Sequence, residues 1–151
     1  MYLRTIKVCV GRGVIAEFKK EAKSSFPKET FAYLLGRDAG TTVEIEELFT
    51  PRDVDEWCTE NSVTVSDEWM PAAKKHAADH GLKVVGDIHS HPFRYGETGK
   101  MKPGCAPSEE DIDSGMRMIS AICQVQQCKG GKLIASVRFW GPMFPVEEHI
   151  Q

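Results

Sequence analysis

The chain has 151 residues, of which 41% are hydrophobic and 27% are charged, a composition that fits one globular domain and excludes wholesale disorder. Its formal net charge is -3, and this lack of a basic excess argues against a dedicated nucleic-acid-binding protein. No apolar run is long enough to cross a membrane, and the 5 cysteines are scattered without a Cys-x-x-Cys pair, which favours a reducing compartment. We therefore expect one cytoplasmic domain over residues 1–151.

The chain begins with a predicted strand and helix. Apolar residues alternate over residues 5–10, which predicts a β-strand. From Ile15 to Phe26 the apolar residues recur at three- and four-residue spacing, so they share one face of a predicted helix. Pro27 should end that helix, because proline cannot continue the helical hydrogen bonds.

A β-hairpin is predicted next. Residues 31–35 form a short apolar strand that we expect Gly36 to end, and residues 43–49 form its partner after a turn that contains glycine. The polar segment 51–60 predicts a loop. Another short strand is predicted at 63–65, where two valines flank a threonine.

A second helix and a buried strand follow. The helix should begin between Glu68 and Pro71, since proline is tolerated in a first turn, and it should end at Gly81. Residues 84–88 predict a strand that leads into the sequence His-Ser-His-Pro.

The last third of the chain predicts irregular structure, one long helix and one strand. Residues 93–107 hold several glycines and prolines, and Ser108 should begin a helix that Gly130 and Gly131 end. Its apolar residues follow a 4-3-4 spacing and are Ile112, Met116, Ile119 and Cys123. With a strand at 133–139, the order of elements predicts an α/β fold, a single mixed-sheet domain with flanking helices.

Four side chains suggest a metal site. His89 and His91 lie two apart, so both imidazoles point to one side if the strand continues through them. Ser108 would cap the following helix and place Asp111 in its first turn. Two imidazoles and one carboxylate are a frequent ligand set for catalytic zinc, which keeps one position open for water.

Each of these features also has a simpler explanation. Ser108-x-x-Asp111 alone is typical of a helix cap, and an isolated His-x-His pair binds metal only in a minority of proteins. Glu29, taken alone, would be a solvated acid. The combination in one small domain is the stronger indication.

The combined pattern resembles the JAMM (MPN-type) zinc metallopeptidases, and in particular their bacterial members. The resemblance rests on Glu29-x-x-Ala32-x-Leu34-x-Gly36, on Gly86-x-x-His89-Ser90-His91-Pro92 and on Pro107-Ser108-x-x-Asp111. It implies that His89, His91 and Asp111 hold one zinc ion, that Glu29 is the general acid and base, and that Ser108 stabilises the oxyanion or orients the water. It also implies a layered sheet-and-helix fold similar to that of cytidine deaminases.

The resemblance further implies a substrate class. Members of this family cleave a peptide or isopeptide bond at the C-terminal tail of ubiquitin or a ubiquitin-like protein, in deconjugation or precursor processing. Two alternatives stay open at this point. Some phage-tail relatives cut cell-wall peptides, and some MPN domains are non-catalytic scaffolds in larger complexes.

One segment departs from the family pattern. Nineteen residues separate His91 from Asp111, more than is usual, so we expect an inserted flap at about 93–106 beside the site. Cys105 in this segment could occupy the open zinc position and keep the enzyme latent, although an incidental loop thiol is the simpler explanation.

A second histidine pair gives a weaker signal. His76 and His80 are four apart on the second predicted helix, similar to half of a His-Glu-x-x-His zinc motif. Ala77 stands where that motif has its glutamate, so these histidines are expected on a solvent-exposed helix face.

Overall fold

A mixed β-sheet with one helix on each face forms the described part of the chain. The computed structural model describes residues 5–97, 119–140 and 146–151. Within these ranges, seven strands lie in the order β6-β5-β4-β2-β3-β1-β7. In chain order the elements are β1 (Ile6–Val10), α1 (Val14–Ser25), β2 (Phe31–Asp38), β3 (Thr42–Phe49), a 3-10 turn (Val54–Trp57), α2 (Trp69–Asp79), β4 (Lys83–Phe93), β5 (Ile119–Gln127), β6 (Leu133–Trp140) and β7 (Val146–Ile150).

The two helices cover opposite faces of this sheet. Phe18 of α1 packs in one apolar core with strand residues such as Leu34. Trp69 of α2 packs in a second core with Tyr33 and Leu35, which point to the other face. Because neighbouring residues of β2 enter different cores, the central strand is buried on both sides. The predicted α/β fold is confirmed.

Several elements of the first half follow the sequence prediction. They are β1, the helices α1 and α2, and the pairing of β2 with β3. α1 ends at Ser25, just before the Phe26-Pro27 bond, and α2 begins at Trp69. β2 and β3 pair as antiparallel neighbours.

Two strand predictions in the first half are wrong. β2 does not end at Gly36 but continues to Asp38, with a register shift against β3 at Leu35/Gly36. The glycine therefore marks a bulge inside the strand. At 63–65 no strand forms among the described residues, and Val63 makes only an isolated bridge to Cys58.

The last predicted helix is wrong over its second half. Residues 119–127 form β5, which pairs in parallel with β4 and antiparallel with β6. Residues 108–118, where that helix was predicted to begin, lie outside the described residues. So do residues 98–106 of the expected flap, whereas Phe93 belongs to β4.

Parallel pairing of β4 and β5 depends on a close backbone approach. A Cβ atom added to Gly86 would lie 2.0 Å from the carbonyl oxygen of Ile119, so no other residue fits there without moving one of the two strands. The edge strand β7, which pairs in parallel with β1, was not predicted from the sequence. Among the described residues, no helix is long and apolar enough to span a membrane.

Candidate metal centre

Both site histidines lie on β4. This strand runs without interruption to Phe93, so His89 and His91 project from the same face, as the sequence pattern requires. Their Nε2 atoms are 2.9 Å apart and both side chains are half-buried. The strand therefore aims two imidazole nitrogens at one point.

Glu29 reaches this point from the neighbouring strand. It lies two residues before Phe31, which is the β2 partner of His89. Its own backbone N–H donates to the carbonyl oxygen of Thr59 at 2.8 Å, and the residue is only 8% exposed. A carboxylate oxygen of Glu29 and one ring nitrogen from each of His89 and His91 lie within 4.8 Å of one another.

A buried serine joins the two strands between these side chains. Ser90 is fully buried, and its Oγ accepts a hydrogen bond from the backbone N–H of Thr30 at 2.8 Å. The backbone N–H of Ser90 in turn donates to the carbonyl oxygen of Thr30 at 3.0 Å. Because β4 continues through Ser90 without a turn, the structural role of this serine is to fix Thr30, and with it Glu29, against β4.

A buried thiol lies close to the carboxylate. Burial, followed by the negative charge of Glu29, raises the pKa of Cys58 to about 11. Cys58 is therefore a neutral thiol at ordinary pH and a poor nucleophile or ligand in this state. Nothing in the local sequence around Cys58 connects it to Glu29, so its position beside the site could not be predicted from the sequence.

An open cleft of about 300 Å³ begins at the candidate centre. Its lining includes Glu29 and His91 of the candidate centre, together with Arg94 and Glu97. Arg94 is held by an ion pair to Glu60, with 2.6 Å between its Nη2 and the Oε1 of Glu60. The cleft thus leaves room for a substrate beside the imidazole of His91, with more acidic than basic side chains around it.

The donor set fits a divalent metal ion. Two nitrogens bound to one tetrahedral zinc lie about 3.3 Å apart, so small side-chain rotations from the observed positions would suffice. A buried carboxylate beside them supplies negative charge where a cation needs it. Ser108 and Asp111, the other predicted site residues, lie outside the described residues, as does Cys105. Their roles, and those of the three residues that the structure brings together, stay predictions.

Comparisons with known proteins agree with this architecture. Residues 11–140 match the model of a family described as prokaryotic homologs of the JAB domain (Prok-JAB). A protein from Desulfitobacterium hafniense, solved in solution, superimposes with a TM-score of 0.60 and 16% identity over 95% of each chain. A JAB1/MPN domain protein from Archaeoglobus fulgidus superimposes with a TM-score of 0.52 and 24% identity, over 96% of this chain and 98% of that one. No curated protein matches the sequence.

Proposed function

Because the chain belongs to the family of prokaryotic homologs of the JAB domain, we propose that it is a zinc-dependent peptidase. Its substrate is a peptide or isopeptide bond at the C-terminal tail of a ubiquitin-like protein. The observation that carries the proposal is the convergence of Glu29, His89 and His91 beside an open cleft that Glu29 and His91 line. A solvated acid, the simpler explanation of Glu29, does not account for a carboxylate that is only 8% exposed beside two imidazoles.

In this proposal the zinc ion is held by His89, His91 and Asp111. When bound, zinc polarises the scissile carbonyl and lowers the pKa of a water molecule toward neutrality. The histidines are well suited to holding this ion, because β4 places both rings on one face of the sheet. The hydrogen bonds between Ser90 and Thr30 also keep β4 beside β2.

Glu29 is the proposed general acid and base. Its carboxylate takes a proton from the attacking water and returns it to the leaving amine, so one buried group serves both halves of the reaction. Ser108 is the proposed hydroxyl donor to the oxyanion, which carries negative charge only in the transition state. The anchored backbone of Glu29 holds its carboxylate in place for this transfer.

The cleft supports an extended substrate. In the described part of the chain, β2 pairs with β4 only as far as His89, while β4 continues to Phe93. The last residues of β4 thus project along the cleft beyond the end of β2. An extended tail with small side chains could lie against them as an additional strand segment, a common mode of peptide recognition. The acidic residues around the cleft favour basic groups near the cleaved bond.

A carboxylate substitution tests the catalytic assignment. Glu29→Gln keeps size and hydrogen bonding but removes the base, so it should retain the wild-type zinc content and lose roughly 10²- to 10⁴-fold in hydrolysis rate. The substrate is a ubiquitin-like protein that carries a fluorogenic amide at its C-terminus. Zinc is measured by elemental analysis. Glu56→Gln, an exposed carboxylate of the 3-10 turn, is the matched control and should be fully active.

Two results would contradict the proposal. Full hydrolysis by Glu29→Gln would exclude Glu29 as the base. Wild-type protein that binds zinc neither as purified nor after addition of zinc, and that hydrolyses no substrate, would instead favour the scaffold alternative. Cleavage of cell-wall peptides without cleavage of the ubiquitin-like reporter would keep the zinc peptidase but replace the substrate.

A further inference from the structure

A second cluster of metal-ligating side chains lies between α2 and β3. His76 lies in the last turn of α2, His80 is the residue that caps the C-terminal end of this helix, and Glu47 faces both from β3. One ligand atom from each of the three lies within 4.8 Å of the other two. Nδ1 of His80 is 2.8 Å from Oε2 of Glu47, and Nε2 of His76 is 3.7 Å from the same oxygen.

Glu47 points at α2 because of the bulge in the hairpin. Ile45 pairs with Gly36 and enters the core beneath α1, whereas Glu47 pairs with Leu35, which enters the core beneath α2. In a regular strand, residues two apart would share a face. The register shift re-aims Glu47 to the opposite face, a known use of bulges. Gly36 is required for it, since a Cβ there would lie 1.7 Å from the carbonyl oxygen of Glu44.

We propose that Glu47, His76 and His80 form a second binding site, for a divalent ion of the zinc class. Imidazole and carboxylate together suit zinc and its first-row neighbours rather than magnesium or calcium. The observed separations are close to those of ligands that share one ion, about 3.3 Å for zinc. An ion bound here ties the exposed face of α2 to the sheet.

An ion pair between His80 and Glu47 alone does not account for the arrangement. Such a pair needs one histidine, yet the second imidazole packs beside the first with 4.2 Å between ring centroids. His76 is also held in position by Phe49, whose ring centroid is 5.2 Å away. Both histidines are solvent-accessible, as expected, with side chains 39% and 44% exposed, and the carboxylate of Glu47 faces them there.

The surroundings favour a cation that keeps water ligands. The cluster lines an open cleft of about 400 Å³, together with Glu17, Glu46 and one arginine, Arg12. Three protein ligands and an open side are compatible with a tetrahedral ion whose remaining position holds water.

This second site is separate from the centre proposed for catalysis. Leu35, opposite Glu47, lies four residues along β2 from Phe31, opposite His89. That spacing corresponds to about 13 Å along an extended strand. No residue is shared between the two clusters. The inference goes beyond the proposed function, and it stands whether or not the protein is a peptidase.

The test uses the untagged full chain and zinc itself as the probe. The His89→Ala/His91→Ala double variant removes the first centre, and calorimetric titration should then show one zinc ion bound per chain. Adding His76→Gln/His80→Gln should abolish that binding. His149→Gln, which replaces a half-buried histidine on β7 outside both clusters, is the matched control and should not change it. Zinc should also raise the Tm of the first variant but not of the second.

The carboxylate and the wild-type background provide independent checks. Glu47→Gln should weaken the remaining site at least tenfold, whereas Glu44→Gln on the same strand should not. If the double variant fails to fold, His76→Gln/His80→Gln in the otherwise native chain should lower the zinc content by one ion per chain. Unchanged zinc binding after loss of both α2 histidines, in either background, would overturn the proposal.

Discussion

The hydrogen bond between β2 and β4 at the site gives the sharpest stability prediction. Ser90→Ala removes the hydroxyl that accepts the backbone N–H of Thr30 at 2.8 Å. Ser90 is 0% exposed and Thr30 is 5% exposed, so water has little access to replace the lost acceptor. A buried N–H left without its partner costs about 1–3 kcal/mol, and the small change in volume adds little. We expect a loss of about 2 kcal/mol in the free energy of unfolding.

Urea denaturation followed by circular dichroism measures this loss. With a slope of about 2 kcal/mol per molar urea, the unfolding midpoint should fall by about 1 M. Zinc affinity should fall as well, because Thr30 is adjacent to Glu29 and Ser90 lies between the two histidines. The substitution thus affects the relative position of all three side chains at the candidate centre, although it touches none of them.

Ser136→Ala is the matched control for this experiment. Ser136 is an exposed serine on the edge strand β6, where the same change should cost less than about 0.5 kcal/mol. If Ser90→Ala is no more destabilising than Ser136→Ala, then the buried hydroxyl does not hold β2 against β4, and the argument for a pre-arranged centre fails.

Three further predictions concern groups away from the metal ligands. Burial, followed by the negative charge of Asp87, raises the pKa of Tyr33 to about 12. The neutral phenol therefore contributes to the free energy of unfolding up to pH ~10, and this contribution is lost as the pH rises toward 12. Absorbance titration should show the late transition in the wild type and not in Tyr33→Phe; a transition that persists in the variant would exclude Tyr33 as its source. Hydrogen bonds from the indoles of Trp69 and then Trp57 hold the pKa of Asp53 below its ordinary value, so its contribution is present at neutral pH and is lost on acidification below about pH 4. Asp53→Asn should make unfolding, followed by tryptophan fluorescence, less dependent on pH in that range, and an unchanged dependence would contradict this. Gly86→Ala should cost about 3 kcal/mol in urea unfolding because it forces β4 from β5, and a loss below 1 kcal/mol would refute the close approach.

The first half of the fold could be predicted because its signals are local. The helical spacing from Ile15 and the turn before β3 each specify one structure. In β5 the signals conflict: Ile119 and Cys123 fit a helical spacing, but Ile119, Ala121, Cys123 and Val125 also alternate and all enter the core beneath α1. The segment forms a strand because β4 and β6 provide hydrogen-bonding partners on both of its sides. These partners cannot be recognised from the sequence of the segment alone.

In the candidate centre too, residues placed by local sequence spacing could be predicted, and residues placed by contacts between distant segments could not. His89 and His91 could be identified because two residues apart on one strand is a purely local relation. Glu29 was identified only through its resemblance to a family pattern, since its approach to the histidines depends on the β2–β4 register. Cys58 and Glu47 were missed because each owes its position to contacts between segments distant in the chain.

The two clusters depend on different features of the same strand, and this makes them separable by experiment. At its beginning, β2 is fixed to β4 by the Thr30–Ser90 hydrogen bonds, which set the position of Glu29. Further along β2, the bulge at Leu35/Gly36 decides which face Glu47 occupies. A substitution at Ser90 should therefore disturb the first cluster and spare the second, because the bulge lies beyond the part of the strand that Ser90 contacts. If both proposed sites bind zinc, their affinities should therefore respond to separate substitutions.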